Sequence, residues 1–565
     1  MCPRLADVPD AEFDFDFIVI GSGFGGSVSA HRLTEKGYRV GVMEMGLRWT
    51  PENLPSTNWR LRRWIWRPKL GLRGFFNIEP FRHVVILHGC AVGGGSITYA
   101  NTLLIPQDGV WGQGTWAGLA DWGAEMPRHY DTAMRMLGVR ENRVFGPADA
   151  ILKRAAEATG VGATYYPTRV AVFEAADGEE PGKTYPDPYF DGEGPERATC
   201  IGCGGCMVGC RYNAKNTLDK NYLYLAEKHG AKVFPETRVV DVKPLEDAAD
   251  GASGYEVRTV RSTAWVRREP RRFTCRGVVF AASALGTMDL LFRLKQRGSL
   301  PRLSPCLGNR VGTNAESLIG VRVPRHPEDL STGVAIGSGI YLDGDTHIEA
   351  TRYPKGSDAM GLLATPLTDG TPGLGRILAW TRTLAASLAR HPARTLRSLH
   401  PFGFARESMI LLTMQPLDGH IDMILGRPWF WPFHKTLRSK GQRIRTYIPV
   451  ANEFARRVAT LTGGTPMSMI TEILFDVPGT AHILGGCPMG LSGESGVVDH
   501  RHRVFGYRNM YICDGSVLSA NLGVNPSLTI TALTERAMAF VSPASGTDWK
   551  DGANEGGADS CRPPA

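Results

Sequence analysis

Residues 15–44 read FDFIVIGSGFGGSVSAHRLTEKGYRVGVME, and this stretch decides the fold of the N-terminal part of the chain. It starts with a run of β-branched and aromatic residues, which is typical of a buried strand. A glycine-rich loop, a helical segment bearing Ala and Leu and a second apolar run follow, and the second run ends at Glu44. The order of these segments predicts a compact β–α–β unit.

The loop between the first strand and the helix contains a G-x-G-x-x-G fingerprint formed by Gly21, Gly23 and Gly26. Gly21 permits a tight turn, Gly23 lets a pyrophosphate approach the backbone, and Gly26 lets the helix pack on the strand. The helix N-terminus offers unpaired N–H groups to the phosphates. Glu44 lies eighteen residues after Gly26, where an acidic side chain would bind an adenosine ribose. Glycine clusters also occur in ordinary turns, but the complete unit predicts a bound dinucleotide.

Composition sets limits on the class of protein. A chain of 565 residues is too long for one compact core, so we expect two or more domains. The net charge of +8 is spread without a long basic block, and we therefore expect no nucleic-acid partner. The mixed acidic and apolar N-terminus does not resemble a signal peptide, and no stretch is apolar enough to span a bilayer. Eleven cysteines, four of them crowded together, favour a reducing cytoplasm over a disulfide framework.

Further strand-like and helix-like segments predict an α/β fold, α+β overall. It would contain a Rossmann-like nucleotide-binding domain assembled from separated segments and a substrate domain with a mixed β-sheet and covering helices. The expected boundaries are 10–109, 200–315 and 475–541 for the nucleotide-binding domain, 110–199 and 316–474 for the substrate domain, and 542–565 for a tail. The tail is rich in Gly, Asp, Ser and Pro, and we expect it to be disordered.

Two later segments predict further contacts with the same cofactor. Gly93-Gly94-Gly95-Ser96 has no bulky side chain to keep a planar ring or a phosphate away from the backbone. Near the C-terminus a strand ends in Asp514-Gly515, and Asn525-Pro526 precedes a long helix. Proline is favoured at the start of a helix, so this N-terminus is again positioned to hold negative charge.

His482 and Asn525 are the candidate catalytic residues that the C-terminal segments suggest. His482 lies in GTAHILGGCPMG, close to a glycine pair, and Asn525 lies at a helix start. A histidine there could take the hydroxyl proton of an alcohol while the carbinol hydrogen leaves as hydride. Each residue also has a purely structural interpretation, as a hydrogen-bonded core histidine and as a helix cap.

The motifs GSGFGGS, VGGGS, HILGGC, DGS and GVNPSLTITAL, together with Glu44, resemble the glucose–methanol–choline (GMC) family of FAD oxidoreductases. Within that family they are most similar to bacterial cholesterol oxidases and related steroid dehydrogenases. The resemblance implies FAD as the cofactor and oxidation of the 3-hydroxyl of a sterol to the 3-ketone by hydride transfer to the flavin. His482 would then bind and orient the sterol hydroxyl, and Asn525 would support both flavin and substrate.

The same resemblance implies roles for four more residues. Glu349, in THIEATRY, would be the base that shifts the steroid double bond from Δ5 to Δ4, and an apolar pocket would raise its pKa. On the residues alone, Glu349 could equally be a surface or salt-bridged strand residue. Asp514 would bind the ribityl chain, and Val239 or Val240 would offer backbone groups to the adenine.

Cys200, Cys203, Cys206 and Cys210 follow the C-x2-C-x2-C-x3-C spacing of ferredoxin-type iron–sulfur ligation. In ferredoxins the fourth cysteine serves a second cluster and is followed by proline, whereas Arg211 follows here and no second run exists. A three-iron cluster, a four-iron cluster with a ligand from elsewhere, a zinc site and metal-free thiols all remain open. A cluster near the flavin would favour a dehydrogenase that passes electrons to another carrier. An oxidase would use O2 instead, and both electron acceptors remain open.

Two segments and two rival activities complete the predictions. Residues 58–76, rich in Trp, Arg and Leu, either pack their aromatic rings on the body of the protein or form a flap that touches a membrane surface. Residues 376–390 predict an amphipathic helix, which usually faces a core. The rivals to sterol oxidation are a GMC dehydrogenase of a sugar or another alcohol that uses an iron–sulfur cluster, and a flavin-bearing lyase or decarboxylase. We expect a cytoplasmic enzyme with a hydrophobic substrate, with peripheral membrane contact as an option.

Overall fold

The computed structural model describes residues 13–176, 178–246, 248–266, 268–370, 373–427, 435–442, 444 and 446–545. Most of the predicted C-terminal tail, residues 546–565, lies outside the described residues. Within the described ranges, no helix has the length and apolar character needed to cross a membrane.

The first of two seven-stranded sheets contains the predicted β–α–β unit. Its strand order is Lys232–Phe234, Val40–Met43, Phe15–Ile20, Arg271–Phe280, Tyr255–Arg261 and Thr237–Pro244, and Met510–Ile512 also pairs with Arg271–Phe280. Phe15–Ile20 pairs in parallel with both of its neighbours. Strands from the beginning, the middle and the end of the chain therefore form one sheet, as the sequence predicts.

The apolar run of the first strand is explained by burial on both faces of this sheet. Ile18 packs in one hydrophobic cluster, and its neighbours Phe17 and Val19 pack in another. Parallel strands that are covered on both sides show such continuous apolar runs. The helices Phe24–Glu35 and Ser527–Ala539 pack against each other beside the sheet, so the two predicted cofactor helices are neighbours.

The second sheet is antiparallel and belongs to the predicted substrate domain. Its strand order is Ala364–Pro366, Thr465–Met469, Ser317–Arg322, Ser408–Met414, His347–Thr351, Ile336–Tyr341 and Tyr166–Pro167. The helices Pro147–Thr159 and Pro449–Thr462 cover one face, where Ile348 and Ala350 join their hydrophobic cluster. Because side chains alternate along a strand, Glu349 points to the opposite face.

The remaining helices and strands complete the fold around the two sheets. The other helices are Leu61–Trp64, Trp122–Leu137, Tyr222–Lys228, Ser283–Arg297, Leu374–Arg390, Pro392–Leu399, Phe404–Glu407 and Ile470–Leu474. The other strands are Trp66–Arg67, Leu72–Arg73, Phe76–Pro80, Val85–Gly89, Arg140–Glu141, Arg169–Val170, Thr184–Tyr185, Arg197–Ala198, Val311–Gly312, His420–Gly426, Thr436–Lys440 and Gly479–Thr480.

Candidate active site

A cavity of about 300 Å³ is lined by residues of the second sheet and by loops that follow strands of the first sheet. Six predicted cofactor residues line it, namely Gly23, Gly95, Asp514, Gly515, Asn525 and Pro526. His482 lines it as well, together with apolar residues of the second sheet, among them Leu318, Ile410, Leu412 and Met467. The cavity therefore has the predicted cofactor residues and His482 on one part of its lining and apolar side chains on another.

The three fingerprint glycines have different surroundings. Gly21 has a φ of +101°, and a Cβ there would lie 2.3 Å from the carbonyl oxygen of Ala281. A Cβ on Gly26 would lie 2.1 Å from the carbonyl oxygen of Gly21. By contrast, a Cβ on Gly23 would meet no atom within 4 Å. The first two glycines are required by the fold, and the space at Gly23 is left for a ligand.

The second glycine loop, residues 93–96, contacts the fingerprint loop, residues 21–26, through its backbone and through hydrogen bonds. A Cβ on Gly94 would lie 2.4 Å from the Cα of Gly23, so the two backbones are in direct contact. The backbone N–H of Gly93 donates to Oγ of Ser22 at 3.0 Å, and Oγ of Ser96 donates to the carbonyl of Gly93 at 2.6 Å. The two loops thus form one wall of the cofactor site.

Glu44 and the two predicted adenine contacts lie outside the lining of the cavity. The Glu44 carboxylate accepts hydrogen bonds from the N–H and Oγ of Ser22, at 3.0 and 2.7 Å, and from the N–H of Gly46 at 2.7 Å. Burial raises the pKa of Glu44, although these donors act in the opposite direction. Val239 pairs with Thr259 in a strand, and the carbonyl of Val240 accepts from Arg297 at 2.8 Å. The ribose and adenine contacts of these residues stay predictions.

Asp514 and the last long helix approach the cavity from the C-terminal segment. The Asp514 carboxylate accepts from Oγ1 of Thr287 at 2.5 Å and from the N–H of Ser516 at 2.9 Å. Burial raises the pKa of Asp514. The helix Ser527–Ala539 begins at the cavity, where its N-terminal N–H groups can stabilise negative charge.

His482 is held by a carboxylate that the sequence analysis missed. Nδ1 of His482 is hydrogen-bonded to Oε1 of Glu316, a buried residue that also lines the cavity. Burial lowers the pKa of His482, but the charge and the hydrogen bond of Glu316 outweigh it, so the net pKa is raised. When Nδ1–H donates to Glu316, Nε2 is the nitrogen that can accept a proton. No sequence motif could reveal this pair, because 166 residues separate its members.

Glu349 and Asn525 form the second polar pair of the site. Nδ2 of Asn525 donates to Oε2 of Glu349 at 3.3 Å. Burial raises the pKa of Glu349 to about 7, and the Asn525 bond and nearby His482 only partly oppose it. Oε1 of Glu349 and Oδ1 of Asn525 are buried without a partner among the described residues. The structure thus brings the three predicted catalytic residues together.

These features fit FAD as the resident cofactor. Gly23 leaves room for a pyrophosphate, the helix at Ser527 presents its N-terminus, and Asn525 has an unsatisfied oxygen at the cavity. A buried unsatisfied polar atom costs about 1–3 kcal/mol, which a bound ligand can recover. The residues present are therefore suited to hold the phosphates and the ring system of a flavin dinucleotide.

The aromatic segment 58–76 has features of both predicted arrangements, namely rings packed on the body of the protein and a flap with exposed apolar side chains. Trp64, Trp66 and Phe75 are buried, so most of its rings pack on the body of the protein. Phe76 lines the cavity, while Leu61 and Leu70 are exposed. The segment therefore contributes to the cavity wall and also presents apolar side chains to solvent.

The four-cysteine motif lines a small cavity to which none of the catalytic pairs contributes. In the part of the chain that the structure describes, no three side chains of His, Cys, Asp or Glu are arranged to hold a metal ion. The iron–sulfur, zinc and metal-free alternatives for Cys200, Cys203, Cys206 and Cys210 therefore stay predictions.

Comparisons with known proteins identify similar sequences and folds. Residues 434–534 match the family described as GMC oxidoreductase, and residues 19–84 match the NAD(P)-binding Rossmann-like domain. A cholesterol oxidase of Acinetobacter baumannii is 60% identical over 529 residues, which is 94% of each chain. A cholesterol oxidase of Mycobacterium tuberculosis is 47% identical over 532 residues, covering 93% of this chain and 90% of the relative. Pyridoxine 4-oxidase from Mesorbium loti shares the fold, with a TM-score of 0.58, 13% identity, and coverage of 93% of this chain and 98% of that one.

Proposed function

The chain belongs to the GMC oxidoreductase family and is an FAD-dependent alcohol oxidoreductase, and on this premise we propose that it oxidises the 3-hydroxyl of a sterol or steroid to the 3-ketone. The observation that carries the proposal is the combination of an imidazole base with a largely apolar cavity. The two relatives described above are named cholesterol oxidases, which supports the same substrate class and favours O2 as the acceptor.

The apolar wall favours a steroid over a sugar. Burial of apolar surface stabilises a complex by about 25 cal/mol for each Å² removed from water. The side chains of Leu318, Ile410, Leu412 and Met467 can cover a fused hydrocarbon ring system. A sugar would instead bring several hydroxyl groups against these side chains, and each unpaired hydroxyl would weaken binding. The cavity therefore selects an alcohol with a large apolar body.

His482 supplies the proton acceptor for the oxidation. With Nδ1 held by Glu316, the imidazole ring is fixed in one orientation and Nε2 can accept the proton of the substrate hydroxyl. FAD, when bound, supplies the acceptor for the hydride of the carbinol carbon. The carboxylate of Glu316 stabilises the imidazolium that forms when the proton arrives, and the apolar wall keeps water away from the reacting carbon.

Glu349 is suited to move a proton after the oxidation. Its pKa of about 7 means that both the acid and the carboxylate are populated near neutral pH. Asn525 holds Oε2, which leaves the unpartnered Oε1 to take a proton from one ring carbon and return it to another. This pair therefore supports a Δ5 to Δ4 isomerisation of the ketone.

A surface beside the cavity is suited to contact a membrane that carries the sterol. We call it the apolar surface; it consists of Leu374, Leu378, Leu396 and Phe402, which are 79%, 56%, 61% and 61% exposed. Arg390, at the end of the helix Leu374–Arg390, suits anionic headgroups, whereas Arg394 and Arg397 on the next helix are held by the carbonyls of Gly463 and Gly464 and by Glu407. Met360, Leu363 and Phe404, which are close by in the chain, line the cavity. The surface and the cavity are thus parts of one region.

The decisive test is anaerobic reduction of the flavin by candidate alcohols. We expect a 3-hydroxysterol in detergent to bleach the flavin absorbance, and glucose or choline to leave it unchanged. Bleaching by a substrate also excludes a lyase or decarboxylase, because such enzymes leave no substrate electrons on the flavin. A preference for glucose or choline would overturn the proposal.

A further inference from the structure

Two hydroxyl groups of the catalytic cavity have no hydrogen-bond partner among the described residues. They belong to Thr351 and Ser408, which are only 6% and 5% exposed and which line the cavity. Oxidation of an alcohol at His482 uses neither of them. Because a buried hydroxyl without a partner is unfavourable, each of these two requires a partner that the described part of the chain does not supply.

Both hydroxyl side chains lie on the face of the second sheet that forms the cavity floor. Ala350 and Met409 pack in the hydrophobic cluster under the covering helices. Because side chains alternate along a strand, their neighbours Thr351 and Ser408 point to the opposite face, as Glu349 does. The two hydroxyls and the catalytic carboxylate therefore share one surface.

The register of the second sheet orders this surface in rows. Glu349 pairs with Leu412 and defines the catalytic row. Thr351 pairs with Ile410 in the next row, and Ser408 begins the row after that. With a rise of about 3.4 Å per residue, Thr351 lies about 7 Å and Ser408 about 14 Å from the catalytic row. A steroid that lies along the strands with its 3-hydroxyl at the catalytic row therefore brings ring D and the side chain to these hydroxyls.

The neighbours of Thr351 are apolar on both sides. Ile336 and Ile410 are its partners in the adjoining strands, and both line the cavity. Gly320, which pairs with Ile410 from its other side, adds no side chain. A stably bound water needs two to four polar partners, and these side chains offer none. An oxygen that belongs to an otherwise apolar ligand fits this position better than a water molecule does.

The positive charge beside Ser408 is already balanced. Its strand partner Arg322 lines the cavity, but Nε and Nη2 of Arg322 donate to Glu407 at 3.4 and 3.1 Å. Nη1 and Nη2 also donate to the carbonyls of Ser398 and Phe402, at 3.2 and 2.9 Å. Because the Glu407 carboxylate neutralises the guanidinium, this end of the cavity suits a neutral oxygen rather than a second carboxylate.

We propose that Thr351 and Ser408 form a second polar subsite, which binds a neutral oxygen at the end of the steroid opposite the 3-hydroxyl. The inference rests on the sterol oxidation proposed above and specifies its substrate class: 3-hydroxysteroids with a hydroxyl or ketone on ring D or on its side chain. A serine or threonine hydroxyl has one donor and two acceptor lone pairs, so it can bind either group. A steroid with a purely hydrocarbon tail still fits, but it leaves both hydroxyls without a partner.

The test compares matched pairs of 3-hydroxysteroids in anaerobic reduction of the flavin by the full chain with FAD bound. One member of each pair has a ketone on ring D or a hydroxyl on the side chain, and the other has the same skeleton without that oxygen. We expect kcat/KM to be about five- to tenfold higher for the oxygenated member, which is the effect of one hydrogen bond between neutral groups. Thr351→Val combined with Ser408→Ala should bring the ratio of the two values close to one.

Thr413→Val is the matched control. The Thr413 hydroxyl is also fully buried without a partner among the described residues, and it lies on the same strand as Ser408 but outside the cavity lining. This variant should keep the preference for the oxygenated member. Because each result is a ratio measured on one preparation, a partial loss of folded protein does not change it.

Equal kcat/KM values for the two members in the unmodified chain would show that the hydroxyls bind water only and would overturn the subsite. A preference that survives in the double variant would overturn it as well. Binding of the corresponding 3-ketosteroids, followed by the change in flavin absorbance, needs no oxidation and should show the same preference in Kd. If no 3-hydroxysteroid reduces the flavin, the proposed function fails, whereas reduction without discrimination within a pair overturns this inference alone.

Discussion

Nδ1 of His482 is hydrogen-bonded to the buried carboxylate of Glu316, across 166 residues of the chain. The contact fixes which ring nitrogen is protonated and raises the pKa of the imidazole against the effect of burial. Glu316 therefore acts as a positioning residue for the proton acceptor.

Glu316→Gln should separate the charge of this residue from its hydrogen bond. A glutamine oxygen can still accept from Nδ1–H, but the pKa of His482 falls when the negative charge is removed. Because neutral His482 is the form that accepts a proton, the rise of kcat/KM with pH should shift to lower pH in the variant. The measurement is the pH profile of sterol oxidation. An unchanged midpoint would show that Glu316 has only a structural role.

His482→Ala should remove the proton acceptor and leave the cofactor site intact. General-base catalysis contributes about 10²–10⁴-fold, so we expect a loss of that size in flavin reduction by sterol. His420→Ala is the matched control, since His420 is exposed and pairs only with Asp418 among the described carboxylates. Stopped-flow reduction rates and flavin content test both variants. A near-normal rate in His482→Ala would exclude the catalytic role.

Glu349→Gln should uncouple isomerisation from oxidation. The variant should still produce ketone, but the double bond should stay at Δ5, because glutamine cannot accept the proton. In the unmodified chain, the isomerisation rate should increase as pH rises through about 7, since the carboxylate is the active form. The ultraviolet absorbance of the conjugated ketone follows this step. Formation of conjugated product at an unchanged rate in the variant would contradict the assignment.

Gly23→Ala should weaken FAD binding without unfolding the chain. The added methyl group meets no protein atom within 4 Å, but it occupies the space predicted for the pyrophosphate. Gly109→Ala is a suitable control, because a Cβ there also meets nothing within 4 Å. Flavin content and thermal unfolding separate the two effects. Equal flavin content in the two variants would argue against a phosphate at Gly23.

Leu374→Asp combined with Leu378→Asp should reduce binding to sterol vesicles that contain anionic lipid. The two substitutions place charge on the apolar surface, where the exposed leucines would otherwise insert among lipids. Leu491→Asp is the control, since Leu491 is 85% exposed and lies in a loop outside the apolar surface. The measurements are co-sedimentation with the vesicles and activity on detergent-dispersed sterol, each made on the double variant, the control variant and the unmodified chain. Loss of activity in detergent would point to misfolding, and unchanged sedimentation would exclude this surface.

The sequence predicts the parts of the site that local motifs encode. The fingerprint glycines, the loop at Gly93 and the helix after Pro526 were predictable, because each forms from neighbouring residues. Glu316 was not, since only folding of the second sheet brings it to His482. The helix Leu374–Arg390 was predicted as amphipathic and packs on Ala364–Pro366, where Nε1 of Trp380 donates to Thr365, but only Arg376 of its described side chains is fully buried. Periodicity gives a helix an apolar side and does not specify what that side faces.

The backbone contact between Gly94 and Gly23 has a consequence for protein engineering. Because a side chain on Gly94 would collide with the backbone of Gly23, the segments 21–26 and 93–96 behave as a single module. A redesign of nucleotide preference, or a transplant of this domain to another scaffold, would have to exchange both segments at once.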